Sequence, residues 1–70
     1  MEKIESFVKR YYSELVTNGE IVDFVKSYGE TDFFLDLVKY TKERHPRLWM
    51  EVYSTISHSY FYAKKYFEGH

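Results

Sequence analysis

Histidine is the side chain best suited to moving protons or holding metals near neutral pH, and this chain has three: His45, His58 and His70. None is spaced for a metal. There is no His-x-x-x-His pair. The absence of cysteine excludes a thiolate zinc site, a thiol nucleophile and a disulfide scaffold together. On a helix, Glu51, His58 and Tyr62 share a polar face, which is the raw material of a weak metal site or an acid–base pair. The plainer reading, a solvent-facing histidine among polar neighbours, is preferred because nothing else converges on it.

Ser54, Ser57 and Ser59 bracket His58, but no Gly-x-Ser-x-Gly elbow surrounds any of them. A nucleophile also needs an oxyanion hole and a cleft, which a small helical bundle hardly provides. These serines read instead as small side chains where helices approach, with Ser59 nearest an apolar stripe. The three glycines are isolated, so neither a P-loop nor a dinucleotide fingerprint exists, and no EF-hand loop is present. No catalytic residue, metal ligand, cofactor or small-molecule substrate is expected.

Binding chemistry is better represented. The segment 39–47 carries Lys39, Lys42, Arg44 and Arg47 against the single acid Glu43, and Lys64 and Lys65 follow on the last helix. These six are candidate phosphate contacts for a nucleic acid, with Tyr40 or Tyr62 available to stack on a base. A helix-turn-helix with its turn at Gly29 fails as the reader. Its recognition helix would bring Asp32 and Asp36 to the phosphates, and Glu30 sits in the turn where an apolar residue is usual.

A second binding signal comes from apolar residues off the core stripes. Met50 and Phe61, eleven residues apart, share one side of the last helix away from Trp49 and Ile56. Leu35 points opposite Leu37, and Tyr12 and Val16 flank the first stripe. Leu35, Met50, Phe61 and Tyr62 are therefore the candidate anchors for a protein partner or a second copy in a homodimer. The expected function is a small non-catalytic interaction module. The alternative is a nucleic-acid accessory protein using the six cations.

These side chains must be positioned by helices, because apolar spacing is helical almost throughout. Ile4, Phe7, Val8, Tyr11 and Leu15 form a first stripe, which Asn18-Gly19 is expected to stop. Ile21, Phe24, Val25 and Tyr28 form a short second helix ending at Gly29. Thr31 or Asp32 should cap a third, with Phe34, Leu37, Val38 and Thr41 facing inward. Pro46 fits the first position of a fourth helix, about 46–68, ended by Gly69. The expected fold is all-α, a compact bundle of four helices within one domain, 1–70.

Length and composition agree. Seventy residues make one small domain with a marginal core. Aromatics, at 21%, supply the large buried area such a core needs. The core should include Ile4, Val8, Tyr11, Leu15, Phe24, Phe34, Leu37, Trp49, Val52, Ile56, Tyr60, Ala63 and Phe67. Truncating Trp49 should then cost about 3–5 kcal/mol. No apolar run approaches the ~20 residues of a membrane span. No charged n-region precedes an apolar h-region, so a cytoplasmic protein is expected. The lack of glutamine and the single asparagine, with abundant glutamate and lysine, is thermophile-like. Charge is uneven: residues 1–38 hold four basic and eight acidic side chains, and residues 39–70 hold six basic and three acidic. That asymmetry serves either internal pairing of helices or an anionic partner.

Overall fold

The computed structural model describes residues 2–68 and contains four helices: α1 (Glu2–Ser13), α2 (Asn18–Tyr28), α3 (Glu30–Arg44) and α4 (Trp49–Glu68). Among the described residues there is no strand. Gly69, expected to end α4, and His70 lie outside the described residues. The radius of gyration, 11.6 Å, is close to the ~11 Å of a compact chain this long. α4 packs along α2 and α3, and α3 also packs on α1 and α2. Among the described residues no helix is long and apolar enough to cross a membrane.

The helix boundaries follow local hydrogen-bonding chemistry. α1 ends at Ser13, whose hydroxyl donates back to the Lys9 carbonyl at 2.6 Å, a local bond that competes with helix continuation. Asn18-Gly19 does not stop α1; it lies inside the first turn of α2. Thr17 is the reason. Its extended backbone (φ −77°, ψ 159°) and its side-chain oxygen, accepting from the Glu20 N–H at 3.2 Å, start a new helix there. Thr17-Asn18-Gly19-Glu20 is the Thr-x-x-Glu pattern of a capping box.

Gly29 joins α2 to α3 as a single residue. Its N–H donates to the Val25 carbonyl at 2.9 Å, and its own carbonyl accepts from Phe33 at 2.7 Å. Its φ of 101° is open to glycine and strained for other residues. Neither Thr31 nor Asp32 caps α3, because this backbone junction starts the helix at Glu30 with no side-chain cap. Pro46 does not open α4 either. The Leu48 N–H closes a turn onto the His45 carbonyl at 3.1 Å, with Pro46 at the turn position its fixed φ favours, and α4 begins at Trp49.

The core is aromatic and continuous. Phe7 of α1 stacks on Phe24 of α2 with centroids 4.5 Å apart, and both meet Phe33 edge-on. Phe33 in turn meets Phe34, which packs edge-on against Tyr53 and Tyr60 of α4. Ile4, Val8, Leu37, Ile56, Tyr60 and Ala63 are buried as expected.

Phe7, Ile21, Val22, Val25, Phe33 and Tyr40 are buried as well, beyond the expected set. On α3 the innermost ring is Phe33 and Phe34 is half-buried, so the helix is turned from the expected face. Tyr11, Phe24 and Val52 are also half-buried. Two expected core residues move outward. Leu15 is 97% exposed, because α1 has ended and its helical period no longer applies. Phe67 is half exposed in the last turn of α4. Trp49 is half-buried at the first position of α4, with the Lys42 ammonium 4.6 Å above its ring.

Candidate interaction surface

α1 and α4 run side by side without close backbone packing, and the seam between them is the most unusual part of the surface. The Tyr11 and Ser59 hydroxyls hydrogen-bond across it, and the Tyr12 hydroxyl meets Thr55 beside them. Ser59 thus acts as the small side chain that lets α1 reach α4. To one side of this bridge lies a groove of about 480 Å³, walled by Leu15, Val16, Ile21 and Tyr62, with Glu14 and His58 at its rim. To the other side lies a more apolar groove of about 430 Å³, walled by Tyr12, Leu48 and Val52, with His45 and Glu51 at its rim. Both are wide open to solvent.

All four expected anchors are exposed: Leu35, Met50, Phe61 and Tyr62. The structure divides them. Phe61 stacks flat on Phe34, centroids 5.6 Å apart, on the α3 flank of α4. Tyr62, the next residue, is turned about 100° around the helix and lines the α1 groove instead. Leu35 projects from the outer side of α3, opposite fully buried Leu37. Leu15 shares the groove of Tyr62, and the adjoining groove brings Tyr12 and Leu48 together; none of these three was among the expected anchors. Tyr12 was legible as a flank residue. Leu15 was hidden by assuming that α1 ran on, and Leu48 by counting it inside α4.

The six cations do not form one field. Lys42 lies over Trp49, Arg44 reaches Glu5 at 3.6 Å, and Lys64 binds Glu30 at 3.2 Å. Lys39, Arg47 and Lys65 make no ion pair among the described residues. The charge asymmetry of the sequence is therefore partly met inside the molecule: two of these three contacts join a basic side chain from the second half to an acid from the first. Arg10 adds a local clamp, reaching Glu14 at 3.4 Å and Glu20 at 3.0 Å across the α1–α2 junction.

Two tyrosines have strongly perturbed hydroxyls. Tyr60 is pushed up to about 12, first by burial and then by its bond to the Glu30 carboxylate. Tyr28 is pushed up to about 12, first by donating to Asp36 and then by burial. Glu30 is held below the ordinary carboxylate range by the Tyr60 hydroxyl and then Lys64. These pairs tie α2 to α3 and α3 to α4.

The residues weighed for chemistry stay apart. Glu51 and His58 are seven positions apart, about 10 Å along α4, and rim different grooves. Ser54 is exposed and Ser57 half-buried. Among the described residues no three His, Asp or Glu side chains gather as metal ligands would. No family model, curated protein or solved structure matches this chain.

Proposed function

We propose that this protein is a small non-catalytic interaction module, acting in the cytoplasm, that holds protein chains together through apolar side chains its own core does not cover. The observation that carries this reading is the apolar exposure. Among the described residues, nine large hydrophobic side chains stand at least half exposed or close to it, against a core of twelve. Isolated exposed hydrophobics are ordinary, but Tyr12, Leu15, Leu48 and Tyr62 line adjoining grooves on one seam. Tyrosine is a favoured interface anchor because it offers large area at small entropic cost. The cytoplasmic address rests on the sequence reading alone.

The nucleic-acid alternative has less support. Lys42, Arg44 and Lys64 already meet partners inside the molecule, which leaves Lys39, Arg47 and Lys65 as dispersed charges.

A photo-reactive side chain at position 35, 61 or 62, with position 3 as a control, tests the module reading in the expressing cell. The expected result is a discrete protein adduct from at least one of the three and none from the control. The reading fails if all four positions give the same diffuse background.

A further inference from the structure

The exposed face of α4, together with Leu48 just before it, carries a heptad stripe. Leu48, Glu51, Thr55, His58, Tyr62 and Lys65 follow one another at spacings of three, four, three, four and three. That is the spacing of residues along a two-helix seam. All six are exposed, and the residues between them on the inner side, Ile56, Tyr60 and Ala63, are buried against the bundle. α2 and α3 cover the other side of α4, while α1 flanks the stripe without close backbone packing and touches it through Tyr12, which meets Thr55. The stripe is also ordered by charge: acidic Glu51 near its start, basic Lys65 at its end.

From this we infer that two copies of the chain pair antiparallel along α4, related by a two-fold axis passing between Thr55 and His58. The inference rests on the module reading above and names its partner: a second copy. An antiparallel two-fold sets the start of each stripe against the end of the other. Thr55 then faces His58 of the second copy. Glu51 faces Tyr62, with Lys65 of the second copy one turn further and within reach of the same carboxylate. Leu48 lies along the aliphatic stem of Lys65. The symmetry makes each of these contacts twice.

A parallel pairing would place Glu51 against Glu51 and Lys65 against Lys65, so the charges select the antiparallel one. The flanks agree with that choice. Leu15, almost fully exposed beside Tyr62, comes opposite the apolar groove walled by Tyr12, Leu48 and Val52 of the second copy. Glu14, its neighbour, comes to the end of the molecule where Arg47 has no ion-pair partner among the described residues.

Charge reversal tests the pairing in the full chain, read as the dimer dissociation constant by sedimentation equilibrium. E51K alone or K65E alone is expected to weaken the dimer roughly tenfold or more. The double variant E51K/K65E is expected to restore it. An equimolar mixture of the two single variants is expected to form heterodimers more tightly than either forms homodimers, since both contacts become attractive. Because the chain has no cysteine, T55C mixed with H58C gives an independent readout. Oxidation is expected to yield the mixed disulfide above either homodimer. A monomer at every concentration overturns the pairing. So does a dimer that ignores the charge swaps, although that result leaves the module reading standing with a different interface. Adducts at position 62 made only to another protein would likewise overturn the pairing and keep the module.

Discussion

The Tyr60 ring is fully buried at the centre of the bundle, yet its hydroxyl donates to Glu30 Oε2 at 2.7 Å, at the first residue of α3. One side chain therefore serves both the core and the helix start. The carboxylate it meets also suits the N-terminus of α3, where negative charge complements the dipole, and Lys64 completes the cluster at 3.2 Å. Y60F should keep the ring packing and lose only the hydrogen bond. The expected cost is about 1 kcal/mol, read from urea denaturation. E30Q should cost a similar amount.

Alkaline pH should unfold the protein through the same side chain and one other. Tyr60 and Tyr28 both ionise near 12 in the folded chain, against an ordinary value of about 10. Their contribution to stability is complete below pH ~10 and is lost as pH rises toward ~12, because the unfolded chain releases these protons first. Denaturation midpoints measured across this window should fall. The Y28F/Y60F double variant should flatten that fall.

On the acid side the sign reverses. Glu30 and Glu5 are held below the ordinary carboxylate value, Glu30 chiefly by Tyr60 and Glu5 chiefly by Lys9. Their contribution is present above pH ~4.3 and disappears as pH drops through the folded values. E30Q should lose part of the acid-limb dependence that the parent protein shows.

The two aromatic candidates for the centre of the core should separate cleanly. F33A removes a ring with no exposed surface that touches Phe7, Phe24, Tyr28 and Phe34. It should cost about 3–5 kcal/mol. W49A removes a half-buried ring at the end of the bundle and should cost roughly half that or less. Thermal melting of the two variants gives the order directly.

Two junction residues give a further check. T17A deletes the oxygen that caps α2 and should cost about 1 kcal/mol. G29A places a Cβ on a backbone with φ of 101° and should cost about 1 kcal/mol or more from strain alone. Its nearest neighbours, Asp32 atoms at 3.6 and 3.9 Å, are in ordinary contact range, so crowding adds little.

Four helices and the buried stripes of α1 and α4 were legible, because amphipathic spacing survives wherever a helix is regular. The errors cluster at junctions. Asn18-Gly19 resembled a helix stop, but the oxygen of Thr17 one residue earlier decided the matter and Thr-x-x-Glu was there to be read. Misplacing that boundary placed Leu15 in the core. On α3, Phe33 and Phe34 are adjacent apolar residues, and periodicity alone does not say which faces the centre. Phe33 wins because α1 and α2 both converge on it, a long-range fact. Of the four expected anchors, exposure was legible, since each lay off a stripe. The split between Phe61 and Tyr62 was not, because it depends on α1 and α3 flanking opposite sides of α4.

Association of the wild-type protein tests the central claim most directly. Sedimentation equilibrium over a micromolar-to-millimolar series should show a reversible passage from monomer to dimer, with no larger species. Y62S combined with L15S should shift that passage to higher concentration while the melting temperature stays near that of the parent. A monomer throughout the series, or a dimer indifferent to both substitutions, would contradict the account.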